Sequence, residues 1–331
     1  MLNGFQVGFM VRSLLFITLF FLGGCVSFFE GGKWDERGVS LFYASLYNQK
    51  NQGYDYKSWS GDWFFRRERL FAVDAFLRDR KPDLVIFQEA LARKGDLLDS
   101  DEKILGRGGL SGYEWGRNEV AFYEDTHELE YHLVASGLPL QPVSLPPSAG
   151  RYWPLAGGGH LSFFLMELFG NQIPIFQVEI RGDRGHEALA LSFVSETVLS
   201  VLSKYQFCPY RMLLVGRMPF ARDSEAFAAF LETLSLKEAL ESPCETASEC
   251  ETGSMDNELF ARGRYLEDGL ESVMMDRVLV HKEALVLESS MELKEPIEDN
   301  SFEADYGLKK VWPLERYGLY SHFKLSQCAG R

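Results

Sequence analysis

Positive charge is scarce in this chain: 34 Lys and Arg stand against 48 Asp and Glu, a formal charge of −14 at pH 7. Proteins that grip nucleic acid neutralise its phosphates with Lys and Arg. The balance therefore argues against DNA or RNA as the main partner, while a small phosphoester or a lipid head group stays open. Histidine is scarce too, with 6 in 331 residues, and none sits at ligand spacing from a cysteine, which disfavours a zinc centre. The apolar run near the N-terminus is too short and one-sided to make a good membrane-spanning helix. Core-forming residues, in contrast, are plentiful. Hydrophobic content is 46% and charged content 25%, which excludes a disordered chain and allows one large core or two smaller ones.

The N-terminal run has a definite order. Arg12 precedes the apolar stretch Leu14 to Leu22, and Gly23, Gly24 and Cys25 follow. A cation, an apolar core, small residues and then Cys resembles the leader of bacterial lipoproteins. The resemblance implies cleavage before Cys25, a diacylglycerol on its thiol, and stable anchoring by several acyl chains. Residues 1–24 are then the signal peptide and 25–37 a lipidated tether ahead of a domain over 38–331. Met10 as initiator gives a more compact leader than Met1. Val26 after the Cys is not a retention Asp, so a Gram-negative envelope would place the protein at the outer membrane.

Export puts the other four cysteines, Cys208, Cys244, Cys250 and Cys328, in an oxidising setting where disulfides form. Cys244 and Cys250 flank a short polar loop, and Cys208 with Cys328 would tie the C-terminal strand to the core. Three pairings are open.

The stretch around which the rest is arranged is Lys81 to Leu91. Leu84, Val85, Ile86 and Phe87 form an apolar run expected to be a strand buried on both faces, and it ends abruptly on Gln88-Glu89. An ionised Glu does not tolerate such a place unless it is paired or holds a cation. Upstream, Val39 to Tyr47 reads as another strand, ending on Asn48. Between them lie the aromatic loop Tyr54 to Phe65 and an amphipathic helix from Arg69 to Arg80. Strand–Asn, aromatic loop, helix, Pro-Asp, strand–Gln-Glu: this order resembles the N-terminal half of the endonuclease/exonuclease/phosphatase superfamily. The resemblance implies a four-layer α/β sandwich of two packed mixed sheets flanked by helices. It also implies that Glu89 is a Mg²⁺ ligand and that Asn48 assists at the metal and the scissile phosphate.

The remainder of the chain follows the same order with altered residues. His160 to Leu168 and Ile173 to Ile180 read as a β-hairpin. Where the family has Thr-His-Leu this chain has Val178-Glu179-Ile180, and His186 precedes a helix over Glu187 to Lys204. Leu138 to Pro154 reads as a long loop. Arg211 to Gly216 is a buried strand, but the family's Gly-Asp-x-Asn that follows becomes Gly216-Arg217-Met218-Pro219. Arg217 cannot serve as a base, although it could hold a phosphate bidentately. Asp276, in a strand over Val273 to Val280, takes the place of the Asp that orients the catalytic His. Gly318 to Leu325 resembles the closing Ser-Asp-His strand, with Ser321 in place of the Asp and His322 as the His.

Two functions follow from the resemblance. In one, the domain is catalytically degenerate and acts as a lipid-anchored binding or scaffold protein of the envelope, with no cofactor. In the other, it is a divergent Mg²⁺-dependent phosphodiesterase or phosphatase, with Glu89 on the metal, His322, Asp276 and Asn48 at the phosphate, and Glu179 or Asp223 covering for lost groups.

Overall fold

The computed structural model of the protein describes residues 38–46, 66–93, 101–123, 128–143, 145, 159–168, 170–180, 187–220, 224–240, 276–298, 310–311, 314 and 317–325. The leader, the tether, the loop Tyr54 to Phe65, Asn48, His186, Asp223, Cys25, Cys244, Cys250 and Cys328 lie outside them. Residues Val39–Arg331 constitute a unit of their own.

That unit contains two six-stranded mixed sheets. The first holds β1 (Val39–Ser45), β2 (Leu84–Arg93), β3 (Glu114–Tyr123), β4 (Glu128–Ser136), β11 (Leu285–Glu292) and β14 (Gly318–Lys324), in the order β11-β14-β1-β2-β4-β3. The second holds β5 (Leu140–Val143), β6 (Gly159–Leu168), β7 (Asn171–Ile180), β8 (Leu213–Arg217), β9 (Leu236–Glu238) and β10 (Asp276–His281), in the order β5-β6-β7-β8-β10-β9. A short ladder joins β12 (Ile297–Glu298) to β13 (Lys310–Val311). The parallel pairs are β1–β2 and β7–β8. The long loop expected over Leu138 to Pro154 contains β5, which pairs along β6 and so extends the second sheet by one strand.

Helices cover the outer faces. On the first sheet, α1 (Arg66–Arg80) and α2 (Asp101–Gly106) set Leu70, Val73, Leu77 and Leu105 against Phe42, Val85 and Phe87. α1 stops because Lys81 takes a left-handed conformation (φ 47°), its N–H closing on the Leu77 carbonyl at 2.9 Å, and Pro82 cannot continue a helix. On the second sheet, α3 (Glu187–Tyr205) and α4 (Glu225–Leu234) pack Val194, Val198, Phe227 and Phe230 against Phe163, Phe176 and Leu214. α3 has the length and composition of a membrane span, but one of its faces lies in this core.

Alternation along the strands then fixes what lies between the sheets. With Phe42 and Ala44 outward, Leu41, Tyr43 and Ser45 face inward; with Phe176 and Val178 outward, Ile175, Gln177 and Glu179 face inward. The inner layer is apolar at one level, through Leu41, Ile86, Val134, Ile175 and Val215, all buried. Towards the C-terminal ends of the parallel strands it becomes polar.

Candidate functional site

Two local departures from ideal strands build this polar end. The first is at Glu89. The β2–β4 register shifts between Phe87, opposite Leu133, and Ala90, opposite Tyr131, so Gln88 and Glu89 together face His132. Glu89 sits at φ 58°, outside the β region. Such a bulge re-aims a side chain. Simple alternation would turn Glu89 outward after an inward Gln88; here both reach the inner layer. Ser45 donates to Glu89 Oε2 at 2.5 Å, and Tyr43 donates to Gln88 Oε1 at 2.5 Å. The strand does not end on Glu89, as the apolar run alone implied, but continues to Arg93.

The second departure is at Gly216, whose φ of 147° and close approach to the Val178 carbonyl leave no room for a Cβ. It brings β8 against β7 immediately before Arg217.

Across the second sheet the inner face then carries one row of ionisable side chains. His160 is registered with Glu179, Glu179 with Arg217, and Arg217 with Asp276. Directly opposed residues have Cβ atoms about 4.5–5.5 Å apart, so each group in the row touches the field of the next. Glu179 and Asp276 are wholly buried and His160 nearly so. The first sheet adds to this row from across the gap. Arg217 Nη1 stands 3.8 Å from Glu89 Oε1. His132 Nε2 lies 3.5 Å from Glu179 Oε2, while its Nδ1 is 2.9 Å from Ser162 Oγ, and its ring meets that of His160 edge-on at 6.1 Å. Tyr43 Oη is 3.0 Å from Asp276 Oδ1. Gln177 donates to the Phe87 carbonyl at 2.8 Å, which places its amide head at the bulge.

The structure thus brings together Glu89, Arg217 and Asp276 among the residues expected from sequence, with Glu179 beside them. It does not bring His322. His322 is registered with Ser40, whereas Gln88 is registered with Ser45, so the imidazole lies about 16 Å down the strand from the bulge. It also shares the outward face of Ser40 and Phe42, across the sheet from Tyr43 and Ser45. The pairing of Asp276 with His322 is therefore corrected: Asp276 meets the Tyr43 hydroxyl instead. The end of β14 level with Tyr43 is its start, at Leu319, and the chain has no histidine between Lys282 and Ser321. Asn48 and Asp223 lie outside the described residues.

His132, His160, Tyr43, Ser45 and Gln177 are members that sequence reasoning missed. A signal for His132 exists: in Glu128–Ser136, Glu130 and His132 alternate with Leu129, Tyr131 and Leu133, and both polar residues are fully buried. Polar residues on the inner period of a central strand mark a polar interior.

Mg²⁺ does not fit these residues. The Arg217 guanidinium already faces the carboxylate that would hold the ion. Among the described residues no group of three or more His, Cys, Asp or Glu side chains is disposed to hold a metal. Phosphate binding by Arg217 fares little better, since Glu89, Glu179 and Asp276 surround the one guanidinium with negative charge.

Outside the site, Arg277 is the largest fully buried side chain among the described residues. It pairs with Glu238, donates to the Met218 carbonyl at 3.2 Å and to that of Phe220, and lies over the Phe227 ring at 4.2 Å. It thereby pins the segment that follows Arg217. Cys208, just before β8, is in a disulfide.

No family model and no curated protein matches the chain by sequence. Solved structures do match. The mannosyl-6-phosphatase of Bacteroides thetaiotaomicron is 13% identical with a TM-score of 0.57, over 86% of this chain and 99% of that one. An endonuclease/exonuclease/phosphatase family protein from the same organism is 14% identical, TM-score 0.57, over 88% and 99%. Truncated TDP2 of Caenorhabditis elegans is 13% identical, TM-score 0.54, over 86% and 97%. At such identities the likeness is one of fold alone, and the structures it resembles include endonuclease/exonuclease/phosphatase family proteins.

Proposed function

We propose that this protein is a non-hydrolytic, metal-independent derivative of the phosphoesterase fold that acts by binding, held at the cell envelope by lipid on Cys25. The observation that carries the proposal is the 3.8 Å approach of Arg217 to Glu89. In a hydrolase of this fold the corresponding carboxylate needs a divalent ion and the following strand end needs an acid. Here that strand end supplies the cation itself. The buried state of Gln88, Glu89, His132, Glu179 and Asp276, each at most 1% exposed, also supports a closed ion network over a substrate mouth. The disulfide at Cys208 supports an exported, oxidising location. The leader, with its Gly-Gly-Cys end, supports the lipid.

One observation favours the alternative, an active and divergent phosphodiesterase. His132 with Glu179 is an acid–imidazole pair one strand away from Glu89, the kind of pair that moves protons in hydrolysis. Both groups are fully buried, which denies them a substrate.

Turnover assays separate the two. Purified protein with Mg²⁺ or Mn²⁺ is expected to leave bis-p-nitrophenyl phosphate, sphingomyelin and DNA intact. Hydrolysis that disappears in Glu89→Ala would establish the enzyme and overturn the binding reading.

A further inference from the structure

The chain enters the first sheet at Val39, and that end of the sheet carries apolar side chains on the outside. Val39 pairs with Phe323, and Phe323 pairs with Val286. Leu285 is therefore level with the point of entry and two strands away, about 10 Å across the sheet. It is 57% exposed, and Leu287, at the bulge in the edge strand β11, is 45% exposed. Leu285 pairs with Lys324, which lies two residues beyond His322 and so shares its outward face. Just before β11, at the end of β10, His281 meets the exposed ring of Tyr210 edge-on at 4.6 Å. Three of the seven large apolar side chains exposed among the described residues thus share one end, and the others are spread over α1 and α3. Lysines surround them. Lys282 is exposed in the turn from β10 to β11. Lys81 is exposed two residues before Asp83, whose carboxylate accepts from the Ser40 N–H at 2.9 Å and from its hydroxyl at 2.6 Å at the start of β1. Lys81, Lys282 and Lys324 join none of the ion pairs among the described residues. The exposed acids beside them are Asp79 and Glu283, while Glu288 is held by Arg80 at 3.4 Å.

We propose that this end, built on Leu285, Leu287 and Tyr210 with Lys81, Lys282 and Lys324 around them, docks on an anionic phospholipid bilayer and fixes which way the domain faces. The inference rests on the lipid at Cys25 proposed above. Residues 26–38 separate that lipid from β1 and, fully extended, reach at most about 45 Å. A surface held so close to a bilayer needs little affinity of its own to stay on it. The leucines enter the head-group boundary, and Tyr210 sets its ring there with its hydroxyl towards water. Lysine stems lie along apolar surface and keep their ammonium groups at the phosphates, which offsets the repulsion that a chain of charge −14 otherwise meets there. A bare apolar edge strand invites pairing with another chain, and a bilayer covers it without supplying a strand. The orientation has a consequence for the ligand. The polar row lies level with Ser45, about 20 Å along β1 from Val39, so docking turns it away from the head groups and towards soluble molecules.

The experiment uses the full lipidated chain in nanodiscs of phosphatidylethanolamine and phosphatidylglycerol. A nitroxide is attached to L285C, to L287C or, on α3, to L199C, and wild type treated with the same reagent sets the background. Power saturation with oxygen and with a nickel chelate reads the depth of each label. Labels at 285 and 287 are expected roughly 5–10 Å below the phosphates, and the label at 199 in water. Adding L285D should return the 287 label to water, and K81E/K282E/K324E should make it shallower. Labels at 285 and 287 as open to nickel as the label at 199, on chain that the discs retain, overturn the inference and leave the lipid reading intact. Chain that carries no lipid and leaves the discs overturns the lipid reading, and the inference with it. Dipolar broadening between labels at 285 reveals a second copy on this edge and overturns the bilayer as its occupant.

Discussion

Replacing Arg277 by Met tests whether the segment carrying Arg217 is held by charge. The stem of Met fills a comparable volume, so the loss is electrostatic. Arg277 is fully buried and Glu238 nearly so, and removing one member of a buried pair costs about 3–5 kcal/mol because the other charge is left behind. The carbonyls of Met218 and Phe220 lose a charged donor as well, which adds about 1–2 kcal/mol after rearrangement. A total of about 4–7 kcal/mol corresponds to a fall of roughly 10–20 °C in Tm for a domain of this size. Urea unfolding of wild type, R277M, E238Q and R277M/E238Q closes a double-mutant cycle. The double variant should recover about 2 kcal/mol relative to the sum of the singles, since neither charge is then stranded. A loss below about 1 kcal/mol in R277M, or strict additivity, would refute the reasoning.

Other outcomes follow from the same structure. Gly216→Ala places a Cβ against the Val178 carbonyl at a φ few side chains adopt, and should cost about 3 kcal/mol or more in a denaturant melt. His281 is pushed below its usual pKa of 6.5 chiefly by burial, with Glu283 opposing and Lys282 adding to the shift. Its imidazole is therefore neutral in the folded protein when the unfolded chain already takes a proton. Stability should fall as pH drops below 6.5, and His281→Asn, which keeps an acceptor for the Glu283 N–H, should flatten that slope in urea melts at pH 5 and 7.5. Radiolabelled palmitate should be incorporated by cells expressing the wild type and not by cells expressing Cys25→Ala; equal labelling would remove the lipid anchor.

Much of the architecture is legible in the sequence because it depends on pattern. The order from Val39 to Leu91 and the hairpin of β6 and β7 follow from apolar runs and turns, and both sheets grow from them. The site is less legible, for two physical reasons. Strand register decides which face and which level a residue occupies, and a strand that reads Leu319-Tyr320-Ser321-His322 does not announce its register. His322 was thus expected beside Glu89 and lies at the other end of the sheet. A bulge, in turn, breaks the alternation that places side chains. Nothing in Phe87-Gln88-Glu89-Ala90 states that both polar residues point inward, yet that bulge is what brings Glu89 to Arg217 and sets His132 beside them. Arg217 itself was visible as a departure at a strand end. Its pairing was not, because Glu89, Glu179 and Asp276 arrive from three other strands.

On the binding reading, Arg217 leaves no work for a divalent ion beside Glu89. Electron paramagnetic resonance of Mn²⁺ titrated into the wild-type protein measures this directly. The free-ion signal should rise in step with added Mn²⁺, with or without Glu89. A stoichiometric loss of that signal in wild type, restored by Glu89→Gln, would contradict it.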